Sequence, residues 1–266
     1  MEPNQSPQGA ERLVKTRGGA AIDGTPIAYI IVLASVVTVL SFIPFSIVLG
    51  SGKGMPLSQS IYPLLGWLLG PIAGALGSGI GTLIGVFLAP YTAGVPAIAI
   101  WGAAIASLSA GVMHQQTEAL RQIYKVWVWG LLLLFSLELI AYAYLAQRNG
   151  IALQTFIAGS FVDWAALLLF ILPTRNLFAK MIASGNITFV FAGIFGGTWM
   201  ACGLAHLSQV PFTYYLFSWP EPIWQALIPI IPFENTMRGL SGAVIGTGVI
   251  SGLRAINLVK PTKAIY

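Results

Sequence analysis

The stretch GWLLGPIAGALGSGIGTLIG, Gly66 to Gly85, holds no charge, one proline and seven glycines. In a soluble helix each interior glycine costs about 1 kcal/mol relative to alanine. In a bilayer helices associate by close packing rather than by hydrophobic drive, and small residues let backbones approach. Gly66, Gly70 and Gly74 recur every fourth position, and Ser78 continues the row. Gly77, Gly81 and Gly85 form a second row. These rows predict flat helix faces pressed against neighbours, with Pro71 breaking the run into two elements.

The surrounding sequence supplies the bilayer. Charged residues make up 8% of the 266 residues and hydrophobic ones 56%, against about 25% charged in an ordinary soluble domain. Uncharged apolar runs of spanning length recur, without the period-two alternation of a barrel. The predicted class is an all-α polytopic membrane protein with about eight membrane elements. These fall near 27–49, 60–70, 71–89, 95–113, 124–146, 151–172, 185–207 and 236–258. Residues 1–24 are polar and read as a retained flexible tail, because the apolar run that follows is too long for a signal segment. Residues 25–266 read as one integral membrane domain, with 124–172 forming a tight hairpin around Gln147–Gly150.

The basic residues orient this arrangement. A cytoplasmic N-terminus puts Arg12, Lys15, Arg17, Arg121, Lys125, Arg175, Lys180, Arg254, Lys260 and Lys263 inside, and Lys53, Arg148 and Arg238 outside. That bias follows the positive-inside rule and predicts both termini in the cytoplasm. The net charge of +5 is thus accounted for by topology, with no pointer to nucleic acid. Cys202 is the single cysteine, so no intrachain disulfide forms.

No catalytic or metal motif emerges. Gly50–Gly54, GSGKG, fails as a phosphate loop: Ile47 stands where its first glycine belongs, and Gly54 replaces the Ser/Thr after the lysine. The two histidines are far apart: His114 reads as an interfacial residue, and His206, near the outer end of its helix, either lines a cavity or is a satisfied structural histidine. The expectation is a non-enzyme without a cofactor or metal. Glu138 and Asp163 fall at comparable depth in the 124–172 hairpin. Intramembrane acids are costly and mark functional positions. They would bind a proton or cation, grip a partner subunit, or form a hydrogen-bonded structural pair. Two outer segments complete the picture: 51–60, and the proline- and aromatic-rich 208–235, which reads either as a lid or as an interfacial segment.

The run IYPLLGWLLGPIAGALGSGIGTLIGVFLAP, residues 61–90, resembles the short second helix and glycine-rich third helix of S-components, the substrate-binding membrane subunits of energy-coupling factor (ECF) vitamin transporters. Leu69–Gly74, LGPIAG, matches their small-residue turn. IPFENTMRGLSGAVIGTGVISGLR, residues 231–254, is similar to their last helix, and GNITFVFAGIFGGTWMACGLAHL to their fifth. The resemblance covers residues 27–113 and 185–258. It implies a six-helix core in a bacterial cytoplasmic membrane, into which the hairpin 124–172 is inserted. It also implies vitamin or micronutrient uptake together with a transmembrane coupling subunit and two cytoplasmic ATPases from other chains. The Ala-x-x-x-Ala face by which the family's first helix meets the coupling subunit is absent, since Ala28 and Ala34 lack that spacing.

On that reading a pocket opens outward. Its candidate residues are Lys53, Gln59 and Tyr62 on one side, and Tyr214, Trp224, Glu234, Asn235 and Arg238 on the other. Lys53 or Arg238 would pair with a ligand carboxylate or phosphate. Tyr214 and Trp224 would stack on a flat ring. Glu234 lies four positions before Arg238, within ion-pair reach on a helix. Two other classes stay open. One is a structural subunit that docks other membrane proteins on the aromatic hairpin. The other is an ion-coupled carrier using Glu138 and Asp163.

Overall fold

A computed structural model of the chain describes residues 20–48, 53–92, 94–113, 118–256 and 260–266; His114 lies outside the described residues. The fold is all-α, with ten α-helices and two small two-stranded hairpins among the described residues. Among the described residues three helices are long and apolar enough to cross a membrane, or four if one bent pair counts as a single span.

The glycine run divides where Pro71 predicts. Helix α1 covers Ile27–Leu40, α2 Tyr62–Leu69, α3 Pro71–Leu88 and α4 Pro96–Gly111. Gly70, between α2 and α3, has φ of +87°, a conformation that glycine adopts at little cost. Pro71 then takes the first helical position, where its missing N–H is not needed. This fold-back sets Gly66 and Gly74 against each other from two different helices. A methyl group on Gly74 would lie 2.8 Å from the Gly66 Cα, and one on Gly66 would strike the Ser107 carbonyl of α4. The second row does a different job. Gly77, Gly81 and Gly85 form the bed for Ile30 and Val37 of α1 and for Ser41 at its C-cap. Between α2, α3 and α4, Ser107 Oγ donates to the Tyr62 carbonyl (2.6 Å) and lies 2.8 Å from Ser78 Oγ.

Helix α5 spans Glu118–Arg148, and α6 (Leu153–Gly159) and α7 (Phe161–Ile171) return beside it. The return is bent by 63° at Ser160, whose hydroxyl donates to the Phe156 carbonyl at 2.7 Å; such back-bonding bends helices. Phe135 and Phe170 join α5 to α7 edge-to-face with ring centroids 6.1 Å apart. Helix α8, Thr174–Ile182, lies between the elements expected near 151–172 and 185–207. Its helicity is set by packing, with Phe178 and Met181 resting on Gly196 and Gly193 of the next helix.

Two sequence expectations are overturned. The first element ends at Leu40, not near 49: Pro44–Val48 (β3) pairs antiparallel with Lys53–Pro56 (β4). Pro44 cannot continue the helix, and the Phe-Ser-Ile-Val that follows suits an extended strand. Residues 208–235, expected to connect elements ending near 207 and starting near 236, are largely helical. Helix α9 runs Ile187–Phe217 and α10 runs Glu221–Ala255, with a short turn capped by left-handed Ser218. Pro211, Pro229 and Pro232 are carried inside these helices, as neighbouring groups in a packed apolar bundle permit.

The ends of the helices sort into two groups. At one end Ala21–Ile22 (β1) and Thr25–Pro26 (β2) hairpin against the C-terminal segment. Lys263 pairs with Asp23, Thr25 Oγ1 donates to the Leu69 carbonyl (2.7 Å), and the Ile265 N–H donates to the Trp67 carbonyl (2.8 Å). Residues 20–24, expected within the flexible tail, thus belong to a packed clasp. Arg254 caps the same end on the Ile182 and Ser184 carbonyls. At the other end Gly54 N–H donates to Tyr91, and Thr155 to Glu221. Arg238, expected at this second end, instead lies buried within α10. Ile265 is fully buried, so Ile265→Ala is expected to cost about 2 kcal/mol. Thermal unfolding of the detergent-purified chain checks this, and an unchanged melting temperature would show that the clasp contributes no stability.

Candidate functional site

Between the β3–β4 hairpin, α2–α4 and the α9–α10 pair lies a cavity of about 440 Å³, within the roughly 300–1,000 Å³ of small-molecule sites. Its walls are mostly apolar, with Val95, Ile98, Ala99 and Ile230 among them. Against that background the polar side chains are few and placed.

Arg238 and Glu234 project from adjacent turns of α10, with Arg238 Nη2 3.9 Å from Glu234 Oε2. Arg238 Nε and Nη2 both point at Met55 Sδ on β4, at 2.9 and 2.8 Å. Nη1 reaches Asn235 Oδ1 only at 3.5 Å. Asn235 is fully buried and donates to the Trp199 carbonyl at 2.9 Å, so it anchors α10 on α9 and holds the arginine. Tyr62 faces the cavity through a hydroxyl chain: its OH lies 3.1 Å from Ser58 Oγ and accepts from Thr82 Oγ1 at 3.1 Å. Gln59 lines the same wall, and its carbonyl accepts from Cys202 Sγ at 3.4 Å.

The α9 wall adds His206 and Gln209. His206 Nδ1 is 2.6 Å from Asp163 Oδ1 of α7, with Asp163 1% exposed. That contact fixes the ring and leaves Nε2 as the nitrogen available to the cavity. Gln209 donates to the Ile98 carbonyl at 2.8 Å, which ties α9 to α4 beside the mouth.

Of the residues picked from sequence, Gln59, Tyr62, Glu234 and Arg238 line the cavity. Lys53 lies in β4, its side chain outside the described part. Tyr214 and Trp224 do not line it; both are buried behind its wall in an aromatic cluster that shares Tyr142 with it. Trp224 stacks on Tyr142 with centroids 5.2 Å apart, and Tyr214 meets Trp224 edge-on at 5.4 Å. The aromatic wall consists instead of Tyr142, Phe217 and Trp219, the last two stacked at 6.2 Å. Glu138 and Asp163 take separate partners on α9: Ser208 Oγ donates to Glu138 Oε1 at 2.8 Å, and Asp163 takes His206. Trp101 Nε1 donates to the same Ser208 at 2.7 Å. Sequence reasoning missed Met55 and Gln209 and left His206 between a structural role and the cavity wall, where it stands. The four-residue step from Cys202 to His206 was visible, but nothing in it named Asp163 as the partner.

No protein-family model, no curated protein and no solved structure matches this chain.

Proposed function

We propose that the chain is an integral membrane protein that binds a small solute in this cavity, as the substrate-binding subunit of an ECF-type uptake transporter for a vitamin or related micronutrient. The observation that carries the reading is the cavity itself: apolar walls, one buried arginine, one carboxylate beside it and an aspartate-oriented histidine. Solute sites combine an apolar lining with a few convergent polar groups in this way. The membrane part of the reading is supported by the outer faces of the helices. Phe87 is 74% exposed, Leu133 63%, Ile140 65% and Val244 60%, an outward apolar surface that lipid would cover. In this reading the eight elements cross or enter the bilayer, and the clasp of residues 20–26 and 260–266 faces the cytoplasm. A coupling subunit and two ATPases from other chains drive release.

Native mass spectrometry of the chain extracted gently from its own membrane tests this. The expected result is co-purification with a coupling subunit and two ATPases, plus a small-molecule mass. A stable assembly that lacks ATPases and exchangeable ligand would overturn transport. It would favour a structural subunit that docks on the α5–α7 hairpin.

A further inference from the structure

A buried guanidinium normally meets carboxylates or carbonyls, because it offers five N–H donors and accepts nothing. Arg238 is buried, yet its two shortest contacts are to one thioether, Met55 Sδ. A thioether is a weak acceptor. Nη1 adds only a 3.5 Å contact to Asn235. The Nε–Nη2 edge that holds the sulfur is a planar fork, the geometry that takes a carboxylate through two parallel hydrogen bonds. Both Arg238 and Met55 line the cavity.

We propose that the Arg238 fork is the carboxylate-binding pole of the cavity and that Met55 is its resident occupant, displaced by the carboxylate of the ligand. This rests on the solute-binding reading and names the chemical class of the solute. Methionine suits the role: it is flexible and polarizable, and it leaves one apolar contact for another at little cost. Glu234, 3.9 Å from the same fork, already supplies negative charge. A carboxylate monoanion therefore fits better than a phosphate dianion, which that neighbour repels. Elsewhere in the lining Tyr142, Phe217 and Trp219 accept an apolar or flat body, and His206 Nε2 meets a polar group on it.

The test uses the full chain in lipid nanodiscs with four probes: benzoate, its neutral isostere benzamide, phenyl phosphate and benzylammonium. Affinities are read by ligand-detected NMR titration. The wild type is expected to bind benzoate about tenfold or more tightly than benzamide, the worth of a charge-assisted pair. Arg238→Gln is expected to bring that ratio to about one. Arg238→Lys keeps the charge without the fork and guards against misfolding; it should lose most of the preference. Met55→Ala is expected to tighten benzoate several-fold while leaving benzamide unchanged. Equal binding of benzoate and benzamide by the wild type would overturn the pole. Full preference in Arg238→Lys would overturn the fork, and tighter phenyl phosphate or benzylammonium the carboxylate. If Met55→Ala weakens benzoate and benzamide alike, Met55 is wall rather than occupant. Binding of none of the probes overturns the assignment, and a small-molecule mass in the native spectrum would then still leave solute binding standing. Benzoate selectivity without co-purifying ATPases keeps the pole and removes transport.

Discussion

Gly66→Ala is expected to prevent the α2–α3–α4 core from closing and to leave little monodisperse protein in detergent. The added methyl group would fall on the Ser107 carbonyl and within 2.8 Å of the Gly111 backbone nitrogen. Gly74 presses on Gly66 from the opposite side, where its own Cβ position lies 2.8 Å from the Gly66 Cα. All of these obstacles are backbone, so no rotamer change relieves them. Overpacking costs about 1–3 kcal/mol where side chains can adjust. A clash of α2 with the α4 backbone, with α3 closing in behind, exceeds that range, against a total stability of about 5–15 kcal/mol. Gly130→Ala and Gly248→Ala provide the contrast, because nothing lies within 4 Å of either added carbon. Each is expected to leave stability unchanged or raise it by up to about 1 kcal/mol. Size-exclusion profiles and thermal unfolding read all three variants. A Gly66→Ala protein that melts with the wild type would refute the close three-helix contact.

That contact was legible in the sequence because it rests on residue size and spacing alone. A row of glycines leaves few alternatives to backbone approach, and Pro71 fixed where the run had to fold back. The turn at Gln147–Gly150 was legible for the same reason, since polar residues and a glycine interrupt two apolar runs. The 208–235 segment was not. Its prolines argue locally against helix, and only the tertiary environment of α9 and α10 carries Pro211, Pro229 and Pro232 within helical backbone. Likewise α8 has weak local signals, and its partners are two glycines of α9.

The site divides along the same line. Arg238 and Glu234 are an i,i+4 pair on one helix, so their proximity is written in the local spacing. Gln59 and Tyr62 follow from the turn that opens α2. Tyr214 and Trp224 have the composition of ligand-stacking residues, but α5 and α6 cover them with Tyr142 and Phe156. Whether an aromatic ring faces a cavity or a neighbouring helix depends on packing between distant segments. Met55 carries no chemical signal in the sequence until an arginine 183 positions away meets it.

The contact between Asp163 and His206 has the second largest expected effect. Neither residue is explained by its own helix: α7 brings an acid, 1% exposed, to an imidazole on α9 at 2.6 Å. Asp163→Leu removes the partner of His206 Nδ1 and leaves a ring nitrogen facing hydrocarbon. A buried polar group stripped of its partner costs about 1–3 kcal/mol, more if charged. A loss of about 3 kcal/mol is therefore expected. His206→Leu strands the Asp163 carboxyl more deeply and is expected to cost at least as much. The double variant Asp163→Leu/His206→Leu replaces both partners by apolar groups and should lose far less than the sum of the two singles. Chemical unfolding of the four proteins in detergent closes the cycle, and additive losses would show that the 2.6 Å contact carries no coupling. Solute binding separates stability from function in the same set. If the acid serves to aim His206 into the cavity, the double variant should refold well yet bind the cavity ligand at least about tenfold more weakly, the loss of one directed hydrogen bond. A double variant that is both stable and fully competent to bind would reduce the pair to a helix-to-helix tie between α7 and α9.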